Sequence, residues 1–229
     1  MTGTTLYFAP GSCARVLLIL LEEIGRPFSL QTVAFLAGEH KRPEYLALNP
    51  KGKVPALAID GLCLSENVAI IDYLADRFPR AALMPSANTA KARAERLADL
   101  SFCASTLHPI VTRIRMAPFF AGPTSARAVW QKGCEAMDEY FELIDNRLDN
   151  SDWWYGQAWS AMDAYLNWVF YRVSGARYDT SRFCNFERHA ASSKSRPAIQ
   201  RALAKEREAE EDLEARGLLF VPPDPAEFA

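Results

Sequence analysis

Short apolar runs alternate with helical stretches over the first eighty residues, and helical periodicity fills most of the remainder. Residues 6–9 form a β-type run closed by Pro10-Gly11, a turn signal. Ser12 stands where a helix N-cap belongs, and a helix is predicted over 13–24 with Gly25 as its stop. Val16 through Leu21 are apolar without a break, so that helix is expected to be buried on several sides. A second strand follows at 28–33. The stretch 38–53 is polar, carries Pro43, Pro50 and Gly52, and reads as a loop with a short helix. Residues 54–59 and 62–64 flank Asp60-Gly61, the two-residue turn of a tight antiparallel hairpin. A helix over 66–77 puts Ile70, Ile71 and Leu74 on one face.

The order β-α-β, loop, β-β-α needs a parallel crossover first and an antiparallel hairpin second, so the sheet is mixed. That order is compatible with a thioredoxin-like α/β domain over 1–80. Residues 79–89 hold two prolines among small and polar residues and read as a linker. Beyond it, 90–229 reads as an all-α domain, with long helical segments near 91–117, 124–149, 160–174 and 196–216. Ser160 and Asp163 have the spacing of a helix cap with its reciprocal acid. The mixed-charge stretch 205–216 reads as a solvated helix face. After Gly217, Pro222, Pro223 and Pro225 predict an extended tail laid over the surface.

Composition narrows the function. The net charge is −2, against the excess of Lys and Arg that nucleic-acid binding needs. The longest apolar run is far too short to cross a bilayer, and no basic-then-apolar leader opens the chain. Five scattered cysteines without a CxxC pair suit a reducing compartment and argue against a disulfide framework or zinc site. A cytoplasmic protein with no metal is expected.

Five segments then carry a resemblance along nearly the whole chain. They are Leu6-Tyr7-Phe8-Ala9-Pro10-Gly11-Ser12-Cys13, Asn49-Pro50-Lys51-Gly52-Lys53-Val54-Pro55-Ala56-Leu57, Leu64-Ser65-Glu66-Asn67-Val68-Ala69-Ile70, Ser160-Ala161-Met162-Asp163 and Arg196-Pro197-Ala198-Ile199. Together, in this order, they resemble the cytosolic glutathione transferases, nearest to the bacterial beta class. The resemblance implies a thioredoxin-like glutathione-binding domain, an all-helical domain that shapes the electrophile site, and a homodimer. It implies glutathione as co-substrate and a small hydrophobic or aromatic electrophile, in detoxification or aromatic catabolism.

Glutathione chemistry needs a thiolate, and a free thiol is only a few per cent ionised at neutral pH. A helix start favours the anion through unpaired N–H groups and the dipole. Gly11-Ser12-Cys13 presents a hydroxyl, a thiol and N–H groups there, so either Cys13 or Ser12 suits the glutathione sulfur. The beta-class resemblance favours Cys13. Phe8 stands where a tyrosine is often found, and strand alternation turns Tyr7 to the other face, which disfavours tyrosine activation.

By the same resemblance, Val54 before a cis Pro55 pairs its backbone with the cysteinyl unit, and Lys53 and His40 meet the glycine carboxylate. Glu66 and Asn67 receive the γ-glutamyl end, with Asn67 in place of the usual serine. Ser105 and His108 border the cleft. Phe8, Met116, Phe119, Phe120, Tyr165 and Trp168 are candidates for the electrophile pocket, although aromatics at helical spacing also serve as plain core. Two other readings stay open: thiol transfer, reductive deglutathionylation or ether cleavage through a covalent Cys13, and a binder of glutathione or hydrophobic ligands without turnover.

Overall fold

The computed structural model describes residues 3–228. Strand β1 (Thr5–Phe8) pairs in parallel with β2 (Ser29–Thr32) and antiparallel with β3 (Ala56–Ile59), which pairs antiparallel with β4 (Leu62–Ser65). The sheet order is β2-β1-β3-β4, mixed as the connections require. Asp60 and Gly61 join β3 to β4 with φ of 50° and 79°, the double positive φ of a type I′ turn whose twist matches its strands. Alternation along β1 buries Leu6 and Phe8 on one face. Tyr7, on the other, packs with Val33, Tyr45 and Ala56.

Helix α1 (Ala14–Ile24) ends at Gly25, whose left-handed φ of 69° a side chain would strain. Its Val16–Leu21 run is buried throughout, each side chain stabilising the fold by about 1.5–3 kcal/mol relative to exposure. The short α2 (Pro43–Leu48) lies in the predicted loop, and α3 (Asn67–Arg77) buries Ile70, Ile71 and Leu74 as its periodicity requires.

The remaining helices are α4 (Ala90–Ser101), α5 (His108–Arg115), α6 (Pro118–Ala121), α7 (Ala126–Arg147), α8 (Ala161–Ser174), α9 (Cys184–Lys194) and α10 (Pro197–Ala215). A single segment is expected over 91–117, yet a π-helical turn, Phe102–Leu107, separates α4 from α5. Pro109 offers no N–H to the residue four back, and the wider turn comes just before it. Helix α9 has no counterpart in the sequence reading. Its Cys-Asn-Phe-Glu-Arg-His start is weak in propensity, and burial of Phe186, His189 and Ala190 holds it.

By contact the chain forms two compact units. One holds the chain up to Leu83 together with Ser195–Phe220; the other holds Met84–Lys194 and the residues from Val221 on. The last long helix, α10, therefore packs in the first unit, against α1, although by element type it belongs to the helical half. Its charged stretch is not a fully solvated face. Glu206, Ala209 and Leu213 are buried, while Arg201 and Lys205 reach Glu22 of α1 at 2.7 and 2.6 Å.

In the second unit, Asp163 is fully buried at the start of α8. One carboxylate oxygen accepts from the Ser160 N–H at 2.8 Å and hydroxyl at 2.9 Å, completing the capping box. The other accepts from the Trp154 N–H at 2.8 Å and from His189 Nε2 at 2.9 Å. In the tail, Phe228 is buried against Ala117 and Ala126, and Asp224 pairs with Arg177. Asp163→Ala strands these donors in a dry core. It is expected to destabilise the fold by about 3 kcal/mol, read as a lower denaturant midpoint, with Asp163→Asn intermediate; an unchanged midpoint contradicts the role.

Candidate functional site

The end of β1 runs into the turn Ala9-Pro10-Gly11-Ser12-Cys13. Gly11 takes φ 71°, open to glycine at little cost. Its N–H donates at 2.5 Å to Oε1 of Glu206, and Oε2 of the same carboxylate accepts from Arg15 Nε at 2.5 Å. Glu206 is only 2% exposed. A buried carboxylate on α10 is thus satisfied by the turn and by the first turn of α1. Removing Arg15 leaves that charge uncompensated in the interior, a cost of about 3–5 kcal/mol.

The turn is less amide-rich than the sequence suggests. The Ser12 N–H donates to Ala9 O at 3.1 Å, and the Arg15 N–H to Ser12 O at 3.1 Å. The Ser12 hydroxyl donates to Ala9 O at 2.6 Å and accepts weakly from the Ala14 N–H at 3.3 Å. Its proton is committed inside the turn. Cys13 lies at the N-cap position of α1 and is buried. Burial pushes its thiol up to about 12; its own backbone N–H, the Asn67 amide and Lys53 oppose the rise, while the Glu66 charge adds to it.

The loop after α2 is tied from within. Lys53 O accepts from the Tyr45 hydroxyl at 2.7 Å and from Asn49 Nδ2 at 2.6 Å. Gly52 has φ +59°, and a Cβ there would come within 2.8 Å of Lys41 Nζ and 2.9 Å of His40 O. The Val54-Pro55 peptide is cis. The Lys53 side chain is exposed. His40 stacks edge-on against Phe35, and its buried Nδ1 has no hydrogen-bond partner. Burial first, then the charge of Lys41, hold its imidazole below the ordinary value, so at neutral pH it offers an N–H rather than a charge.

Glu66 opens α3 with φ 72°, unusual for a residue with a side chain, and no side chain caps the helix N-terminus behind it. Asn67 is buried; its Nδ2 donates to Cys13 O at 3.0 Å while its Oδ1 has no partner. The first unit therefore brings Ser12, Cys13, Lys53, Glu66 and Asn67 into one neighbourhood.

The second unit gathers a different set. His108 Nδ1 lies 3.5 Å from the Tyr165 hydroxyl, and its ring meets Trp168 edge-on at 4.7 Å. Tyr165 and Trp168 are buried and serve as core. Ser105 is exposed and returns its hydroxyl to Ser101 O at 2.7 Å. Phe119 and Phe120 are exposed and Met116 is half-buried. Phe8 has no exposed surface at all, because strand alternation turns it into the core; it lines no pocket.

Glu206, Arg15 and Lys51 were not singled out from sequence. Glu206 carried a legible signal: Ile199, Ala202, Glu206, Ala209 and Leu213 follow the 3-4 spacing of one helix face, with an acid in the middle of the apolar stripe. Lys51, which pairs with Glu66 at 2.6 Å, carried none. Among the described residues, no His, Cys, Asp or Glu grouping is arranged to hold a metal, and no helix is long and apolar enough to cross a membrane.

Residues 2–76 match the family model described as glutathione S-transferase, N-terminal domain. Glutathione S-transferase GST-4.5 of Xanthomonas campestris pv. campestris is 33% identical over 167 residues, covering 70% of this chain and 78% of its own length. The solved structure of a sphingomonad glutathione S-transferase complexed with glutathione superposes with a TM-score of 0.77 at 30% identity, covering 88% of this chain and 98% of that one. A bacterial beta class enzyme from Sphingomonas chungbukensis gives 0.76 at 29% identity, with 88% and 98% covered. Since such likeness spans both the opening α/β segment and the helical remainder, the chain belongs to the glutathione S-transferase family.

Proposed function

We propose that this protein binds glutathione on its first unit and activates its thiolate for attack on a small hydrophobic or aromatic electrophile, by addition or by displacement of a leaving group. The observation that carries the reading is the convergence of Cys13, Lys53, Glu66 and Asn67 on the start of α1. Family membership and a relative solved with glutathione support the same co-substrate. The residues fit it. The open N-terminus of α3 suits the γ-glutamyl carboxylate, and the Glu66 carboxylate suits its ammonium. Val54 offers backbone groups for a strand-like pairing with the cysteinyl unit. Lys53, with His40 in the same loop, suits the glycine carboxylate.

At the sulfur, Cys13 is the stronger candidate of the two. A thiol held protonated to about 12 is a hydrogen-bond donor at neutral pH. Donation from Cys13 Sγ–H to the glutathione sulfur stabilises that sulfur as the anion, and the α1 dipole adds to the effect. The Ser12 hydroxyl already donates to Ala9. The same raised thiol disfavours a covalent route through Cys13, because the thiolate is the nucleophile in disulfide exchange. Met116, Phe119 and Phe120 are the apolar side chains retained for the electrophile, with Ser105 and His108 as polar candidates nearby in sequence. A cytosolic homodimer is part of the proposal on family grounds.

Turnover of a chloronitrobenzene with glutathione tests the enzyme reading; retention on immobilised glutathione without turnover of any panel electrophile would favour a binder. Cys13→Ala is expected to lower kcat/KM by about ten- to a hundred-fold. Ser12→Ala should keep kcat/KM within about three-fold and lose about 1 kcal/mol of stability with the hydroxyl's hydrogen bond to Ala9 O. The reverse pattern moves the sulfur contact to Ser12.

Thiol titration gives an independent check. Between the ordinary thiol value of 9.0 and about 12 the folded chain holds the Cys13 proton that the unfolded chain has lost. Stability should therefore fall as pH rises through that window. At pH 8, iodoacetamide should label the exposed Cys63 and Cys184 at least about a hundred-fold faster than Cys13, followed by mass spectrometry. Labelling of Cys13 first would mean that the turn ionises its own thiol.

A further inference from the structure

One contact in the first unit puts a charge of this chain where a charge of the ligand belongs. Lys51 Nζ lies 2.6 Å from Glu66 Oε1 and 3.3 Å from Ser65 Oγ. The backbone beneath Lys51 is anchored: its N–H donates to Asn49 Oδ1 at 3.2 Å, and the Gly52 N–H donates to Asn49 O at 2.9 Å. Both side chains are more than half exposed, 54% for Lys51 and 63% for Glu66. The ammonium can therefore leave for water, while Glu66 is held at the head of α3 by its own backbone.

We propose that Lys51 is an internal competitor for the ammonium end of the co-substrate, and so sets how strongly the site selects ligands that carry an α-amino group. The inference rests on the glutathione reading above, in which Glu66 receives the γ-glutamyl ammonium. A single exposed carboxylate serves two cations poorly. Two ammonium groups on its two oxygens stand close enough to repel, so each weakens the other's hold. A ligand ammonium must share Glu66 with Lys51 or displace it, and part of its attraction is lost either way. A ligand without that ammonium leaves the Lys51–Glu66 pair intact and forgoes nothing. The resident lysine thus narrows the preference for aminated over deaminated ligands. Because exposed ion pairs are weak, the effect is about two- to five-fold.

Titration calorimetry with S-methylglutathione and its deaminated counterpart, in which glutaryl replaces γ-glutamyl, tests this. The readout is the ratio of the two dissociation constants, deaminated over aminated, because any attraction of Lys51 for the shared carboxylate cancels in it. Lys51→Met is expected to raise the ratio about two- to five-fold. In a Glu66→Gln background the same substitution should leave the ratio unchanged. An equal ratio in wild type and Lys51→Met, including the case in which both ligands weaken together, overturns the competitor role and leaves glutathione binding standing. Failure of the wild type to bind either ligand overturns the proposed function, and the inference with it.

Discussion

A buried carboxylate near the end of the chain holds the turn near its beginning. Glu206 accepts from the Gly11 N–H with one oxygen and from Arg15 with the other, inside a helix interface that excludes water. An ion taken out of water this way is tolerable only with all its partners in place. The constraint therefore runs in both directions: α10 needs the turn to satisfy its acid, and the turn needs α10 to fix the direction of its first amide. The position of Cys13 at the start of α1 follows from that arrangement. Cys13 O is then tied to Asn67, which brings the start of α3 alongside.

The electrostatics of the turn differ from those of a bare helix start. In isolation, orphan N–H groups and the dipole would favour a thiolate. Here most of the local amides already have acceptors within the turn or on Glu206, and Cys13 is buried. Desolvation wins, and the protein's own thiol keeps its proton. A protonated donor at a helix start is suited to stabilising another sulfur as an anion, whereas a thiolate there would repel it. The unfavourable burial of one thiol and the proposed activation of a second are parts of one arrangement.

Much of the first unit was legible because its signals are local. Asp60-Gly61 specifies its hairpin, Gly25 stops α1, and the apolar block from Val16 to Leu21 announces burial on several sides. The capping box at Ser160 and Asp163 is equally local. What escaped the reading depends on packing. Helix α9 has little propensity of its own, and the π-helical turn before Pro109 is a response of the backbone to a missing donor. The charged composition around Glu206 reads as a solvated face and outweighs the 3-4 spacing that places it among Ile199, Ala202, Ala209 and Leu213. Asn67 was recognised as unusual, but its inward orientation toward Cys13 is a tertiary fact. Lys51 reaches Glu66 across a loop, a pairing that no sequence spacing encodes.

Amide hydrogen exchange at Gly11 tests the role of Glu206 most directly. In Glu206→Ala, the Gly11 amide should exchange at least about ten-fold faster than in wild type, while the amides of Ile70 and Leu74 in α3 keep their protection. Unchanged protection at Gly11 in a folded Glu206→Ala chain would show that the turn holds itself, and that the buried acid does not position it.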